Sequence, residues 1–434
     1  MTATARYAHF LLWHGDSSYR RAWFLAPQLL ALVGAGWVLT QSLEAPAPDW
    51  GAPEKENFSG ATADAIRDRA KTDPQALADI RAKADAGDAT AQFELATLYD
   101  PSFNFAKTVT PDGPTAARYY RQSAEQGFAS SQANYANYLA FGLNGVAKDP
   151  ATAFQWATKA ANAGNPFGQR LLGDLNWDGL GAPEDKVKAV EWYRMAADQG
   201  EQKAQAYIGD AYWNGWAPYA KDRVEAVKWY RKVAVTPDFP GAARRIGVAY
   251  RDGDGVAPDR ATSLVWFRQA ADHGDSFAQA EIGAAYWDGV PPYAKDHVEA
   301  VNWYRKAAQS PDQSGAARMM GTAYRDGDGA PKDLAEAMKW YRRAAEKGET
   351  FAAAELGIGY YNGIDPYPRD NAEAVKWLKI AATSANESLA QRLLGICYFE
   401  GRGVDPNPQE GRKWLQQAAA NGDKEAAKLL RSWR

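Results

Sequence analysis

Apolar positions along this chain recur with a helical period, and the helical segments recur with a longer one. The stretch from Asp296 to Gly329 shows the pattern. Val298, Val301, Trp303, Tyr304 and Ala307 fall at i, i+3 and i+4 spacings, which predicts an amphipathic helix with these residues facing inward. Asp296 with Glu299 three residues later predicts a capping box at its start, each side chain satisfying an orphan N–H of the first turn. Asp222/Glu225, Asp333/Glu336 and Asp370/Glu373 repeat that arrangement, and Asp73, Asp149 and Asn407 are each followed by proline, which suits the first helical position. Helix stops are marked by Gly87, Gly127, Gly164, Gly200, Gly274, Gly348 and Gly422, because glycine tolerates the left-handed geometry of a C-cap. A second helix follows each first one. In AQAEIGAAYWDG, Ile282, Gly283 and Tyr286 are expected inward, and Ala280, Gly283 and Ala284 allow close packing.

The longer period is 37 residues. It separates Trp192, Trp229, Trp266, Trp303, Trp340, Trp377 and Trp414, and weaker marks at Trp156, Tyr119 and Ile80 extend the series towards the N-terminus. An acidic or amide residue stands seven positions ahead of each mark, from Asp73 to Asn407. Self-similarity at this spacing predicts stacked helical hairpins, about ten of them over residues 73–434, none able to bury both faces alone. The tryptophans are expected in the core of nearly every unit. A 74-residue period lies over the first. Alternate loops read WAPYAKD, VPPYAKD and IDPYPRD, and the intervening ones RDGDGVAPD and RDGDGAPKD, so two kinds of surface should alternate.

The string DHVEAVNWYRKAA, a break, an AxxxLGxxYxxG-type segment and a return to Asp resembles the Sel-1-like repeat, a relative of the tetratricopeptide repeat. The likeness runs from about Asp73 to Arg434, weakest in the first unit and truncated in the last. It implies an all-α, right-handed α-solenoid acting as an adaptor that scaffolds multiprotein complexes. Such adaptors are often found at a membrane or in a bacterial envelope, in exopolysaccharide export, protein quality control or signalling. A cysteine-rich secreted branch of that family carries a disulfide in each repeat. This chain has one cysteine, Cys397, at a position held by alanine in other units and expected in the core.

The N-terminal segment follows a different pattern. Residues 22–43 are uncharged, and as a helix they would span about 33 Å, enough for a hydrocarbon core of roughly 30 Å. Arg20 and Arg21 precede the run, while Glu44, Asp49, Glu54 and Glu56 follow with only Lys55 opposing them. That asymmetry predicts a cytoplasmic tail (1–21), a transmembrane helix (22–43) and a repeat domain across the membrane in the periplasm. The run exceeds the roughly 7–15 apolar residues of a signal peptide, and Pro48 follows the best small-residue cleavage site, Ala45-Pro46-Ala47. An uncleaved anchor in the inner membrane is expected. Residues 44–72, with Pro46, Pro48 and Pro53, read as an extended linker with room for a capping helix before the repeats.

Composition narrows the function. A net charge of −3 argues against nucleic acid as a partner. The four histidines are scattered, and Asp252-Gly253-Asp254-Gly255 and Asp326-Gly327-Asp328-Gly329 lack the further ligands of a calcium loop. No enzyme, metal or cofactor is expected. One face of the second helices is unusual. Trp213, Arg251, Trp287, Arg325 and Tyr361 follow the inward position in successive units, with Arg244 and Arg318 seven residues before the two arginines. Two readings stand: a self-satisfied ladder of arginine on aromatic, or a groove for an acidic or extended partner, since tryptophan, tyrosine and arginine are enriched at hot spots. The function expected is a membrane-anchored scaffold for protein partners in the bacterial envelope. The alternative is an envelope-polysaccharide binder or export accessory, with an acidic polysaccharide as ligand.

Overall fold

In a computed structural model of the protein, residues 68–103 and 108–433 are described. The cytoplasmic tail, the anchor at 22–43 and nearly all of the linker lie outside these residues. All regular structure among the described residues is helical, and no helix there is long and apolar enough to cross a membrane.

The chain forms two compact units that divide between Lys232 and Val233. The first holds four hairpins: α1 (Pro74–Asp85) with α2 (Ala89–Tyr99), α3 (Gly113–Glu125) with α4 (Ala129–Phe141), α5 (Pro150–Asn162) with α6 (Pro166–Asp178), and α7 (Lys186–Asp198) with α8 (Gln202–Asn214). Helix α9 (Arg223–Val233) follows and ends at the division. The second unit opens with α10 (Pro240–Asp252) and continues with five hairpins. These are α11 (Arg260–Asp272) with α12 (Ser276–Asp288), α13 (His297–Ala307) with α14 (Ser314–Asp326), and α15 (Leu334–Ala345) with α16 (Thr350–Asn362). The last two are α17 (Asn371–Ala381) with α18 (Ser388–Glu400), and α19 (Pro408–Ala420) with α20 (Lys424–Ser432). Within each unit successive helices pack on one another, α8 meeting α9 where Gly209 lies against the Tyr230 ring.

The predicted caps form, but only by half. The Asp296 carboxylate accepts the Glu299 N–H at 3.0 Å, and Asp185, Asp333 and Asp370 act alike. The reciprocal half of a capping box is replaced. The Asp296 N–H donates instead to the carbonyl of Tyr286, at the end of the preceding helix, at 2.9 Å. Asp222, Asp259, Asp333 and Asp370 do the same to Tyr212, Tyr250, Tyr324 and Tyr360. The glutamates are released to other partners, as in Glu225 with Lys228 and Glu336 with Lys339. One aspartate thus starts a helix and fastens it to the end of the previous hairpin.

A second device closes each hairpin. Gln92, Gln132, Gln169, Gln205 and Gln279, on the second helices, donate to the carbonyls of Ala84, Ala124, Ala161, Ala197 and Ala271 in the last turn of the first. Each of these carbonyls accepts one N–H from the glycine just past the helix end and has a second lone pair that no donor of its own helix reaches. The side-chain amides take the role of water there, so the hairpin ends can be buried.

Between hairpins the core is built by a ring meeting a glycine. A Cβ at Gly283 would lie 2.9 Å from Tyr304, and one at Gly321 would lie 2.5 Å from Tyr341. Cys397 is fully buried in this core, and burial pushes its thiol up to about 11.

The tryptophans depart from expectation. Trp229, Trp303 and Trp377 are buried, whereas Trp156, Trp192, Trp266, Trp340 and Trp414 are half-buried. From Trp192 onward the 74-residue period therefore reaches into the packing, with alternate hairpins burying the ring. Val298, expected inward, is 61% exposed. It sits in the first turn, before the helix meets its neighbours.

Candidate interaction surface

The arginine and aromatic positions singled out from the sequence fall on the second helices, in both units. None is exposed. In the second unit, Arg244 pairs with Asp275 at 3.0 Å and Arg318 with Glu349 at 3.4 Å. Their counterparts 74 residues away are Arg170 with Glu201 in the first unit and Arg392 with Asp423 in the second. All four acids are N-caps of the next hairpin's second helix, each accepting a backbone N–H of its first turn. The carboxylate is shared between a helix end and an arginine from the neighbouring hairpin.

Arg251 and Arg325 carry a second set of bonds. Arg251 makes a two-pronged contact with Asp252 at 2.8 and 2.9 Å and reaches Glu281 at 2.9 Å. Arg325 repeats this with Asp326 and Glu355. Hydrogen bonding to Asp326 raises the pKa of Arg325 further. The arginine pairs meet aromatics, but not the ones expected. Arg244 and Arg251 both lie 5.8 Å from the Phe277 ring, and Arg318 and Arg325 lie 5.7 and 6.0 Å from Phe351.

The other three positions have partners of their own. Trp213 is buried beneath Arg223, at 3.8 Å. Trp287 stacks on His297 at 4.3 Å, and the Tyr361 hydroxyl accepts from Arg402 at 2.9 Å. The Asp-Gly loops serve as turns: Gly253, Gly255, Gly327 and Gly329 have positive φ, and Asp252 and Asp326 hold the arginines. Among the described residues, no group of three or more His, Cys, Asp or Glu is placed to hold a metal ion.

A second constellation lies on the first helices and their entry loops. Tyr219 folds back on Tyr212, Tyr293 on Tyr286 and Tyr367 on Tyr360, with ring centres 4.4, 4.5 and 5.4 Å apart. Below each loop, a cation from the preceding first helix covers the buried tryptophan: Arg194 over Trp229, Arg268 over Trp303 and Arg342 over Trp377, at 5.0, 5.0 and 5.6 Å. A lysine lies over the same ring, Lys232 at 3.3 Å, Lys306 at 3.9 Å and Lys376 at 4.7 Å. The alternating Pro-Tyr loops were the sequence signal for this arrangement. The tryptophan that each loop accompanies lies ten residues further on, beyond the reach of a helical period.

The sequence pattern of the Sel1 repeat matches nine segments: 89–128, 129–165, 166–201, 202–234, 240–275, 276–312, 314–349, 350–386 and 388–423. The chain belongs to the Sel1 repeat family. Each matched Sel1 segment starts on the second helix of a hairpin and runs into the first helix of the next, so α1 and α20 fall outside the nine. Among solved structures, a protective antigen present in uropathogenic Escherichia coli strains, displaying an SLR fold, is 30% identical. The match covers 82% of this chain and 81% of that one, with a TM-score of 0.63. A Sel1 repeat protein from Oxalobacter formigenes is 27% identical over 82% of this chain and 90% of its own, with a TM-score of 0.37. No curated protein matches the chain. Sel1 repeat proteins are typically scaffolds for protein interaction.

Proposed function

We propose that this Sel1 repeat protein is a membrane-anchored scaffold that holds protein partners in the bacterial envelope. The observation that carries the scaffold is how its polar side chains are used. N-cap aspartates, glutamines and the arginines of the second helices join helix to helix and hairpin to hairpin. What they build, within each unit, is a repetitive surface. The uncharged run at 22–43, flanked by Arg20 and Arg21 before and acidic residues after, supports an anchor with the repeats in the periplasm.

Polysaccharide binding by ring stacking has less support. A sugar needs an open aromatic face, and Trp229, Trp303 and Trp377 are buried beneath arginine and lysine.

Two measurements test the reading. Alkaline phosphatase fused at Arg434 should be active in cells, and a mature chain beginning near residue 48 would refute the anchor. Crosslinking and recovery through a C-terminal tag should bring down defined proteins in fixed proportion. Recovery of nothing above an untagged control would remove the scaffold.

A further inference from the structure

His297, the first residue of α13, lies flat on Trp287 of α12, with ring centres 4.3 Å apart and planes tilted by 13°. Both of its ring nitrogens face acceptors. Nδ1 meets the Asp328 carboxylate in the turn after α14, and Nε2 meets the Trp287 carbonyl at 3.1 Å. A neutral imidazole has one N–H, so either tautomer would turn a lone pair towards one of these oxygens. The imidazolium donates to both. The Trp287 carbonyl belongs to the last turn of α12, where the helix supplies no further donor. Its neighbours are served by backbone, Ala285 taking the Val290 N–H and Tyr286 that of Asp296. The copies 74 residues away do without a titrating ring. Arg223 donates to the Trp213 carbonyl at 2.6 Å, with its guanidinium 3.8 Å over that ring. In the third copy the position is Asn371, and Arg402, in the register of Asp328, donates to the Tyr361 hydroxyl. A permanent cation, a titratable one and a neutral amide thus occupy one position. The other charges near His297 oppose one another. Burial pushes the Asp288 carboxyl up at the end of α12, while Lys295 of the entry loop, Arg260 of α11 and His297 pull it down. The Asp296 carboxylate is engaged by the Glu299 N–H.

We propose that His297 is a proton-operated joint between hairpins. As the imidazolium it ties the end of α12 and the turn after α14 to the start of α13, across the Pro-Tyr loop at 290–296. Without the proton, one of the two bonds is replaced by a lone pair facing an oxygen, and the seam loosens. Closure needs a proton, so it is favoured as the pH falls through the range in which imidazole ordinarily titrates, about 6.5, and lost as the pH rises through it. Stacking on the indole face adds to the preference for the cation. The joint operates whatever the scaffold holds.

The test follows backbone hydrogen exchange in the 434-residue chain at about pH 5.5 and about pH 8, scaled for intrinsic exchange rates. Segments 285–300 and 326–332 should lose protection by roughly fivefold at the higher pH. The segment around Trp213 and Arg223, where the cation is permanent, should not. His297→Arg, which copies position 223, should remove the loss. His297→Asn, which copies position 371, should leave both segments loose at either pH. A loss of equal size in wild type and His297→Arg would overturn the proposal, and so would wild-type protection of His297→Asn at the lower pH. Nitrogen chemical shifts of isotope-labelled histidine give a reading on the wild-type chain itself. Both ring nitrogens of His297 should carry protons at the lower pH, and a neutral ring there would also overturn the proposal.

Discussion

Single residues here act through what they touch across a hairpin boundary. Trp303 is buried with Arg268 and Lys306 over its ring, whereas Trp340 is half-buried. Trp303→Ala should therefore cost about 3–5 kcal/mol, and Trp340→Ala clearly less; equal losses in chemical denaturation would contradict the alternation. Gly321→Ala places a methyl against Tyr341, so about 1–3 kcal/mol of overpacking is expected in the same assay. Glu387 gives a pH signature. Burial pushes its carboxyl from 4.5 up to about 7, with Glu349 and Glu355 adding repulsion. Between these values the native state binds more protons than the unfolded one. This contribution to stability is thus fully present below pH 4.5 and lost as the pH rises through 7. Glu387→Gln should flatten that part of the stability profile, and an unchanged slope in urea melts from pH 4.5 to 8 would show that Glu387 is not its source.

At the scale of helices, the arginines of the second helices prove to be joints. A partner groove on this face would require Arg251 and Arg325 to be open to solvent. Their side chains are 16% and 28% exposed and hold acids from two places. Arg251→Ala should cost about 1–3 kcal/mol, and Arg251→Glu more, since it adds a third carboxylate beside Asp252 and Glu281. Melting curves superimposable on wild type would show that these pairs contribute nothing. The comparison shows what the sequence could express. Helix positions, caps, glycine stops and the 74-residue alternation were legible because each is a local pattern repeated many times. The partner of Arg244 was not, since Asp275 lies 31 residues away and looks like any other cap. The reach of Asp296 back to Tyr286 was hidden for the same reason, because a capping box predicts where the carboxylate goes but not where the N–H goes.

At the scale of the molecule, coupling in a stacked-repeat body passes between neighbours. Loosening caused by Trp303→Ala should start in residues 260–345, and hydrogen exchange that rose equally in both units would count against this. The shared N-cap acid has a further consequence, for how such a chain can lengthen. Arg244 needs the carboxylate at 275, and Arg251 the one at 281. Two hairpins further on, positions 349 and 355 are again acids, both glutamates, but one hairpin further on Gln313 stands at the N-cap and Met319 follows. Excising residues 260–333 would bring each arginine to an acid already shaped for it. Excising 260–296 would leave both guanidiniums facing an amide and a thioether. The smallest piece that can be copied or lost with its seams intact is a pair of hairpins, and natural variants of this architecture should differ in length by even numbers of them.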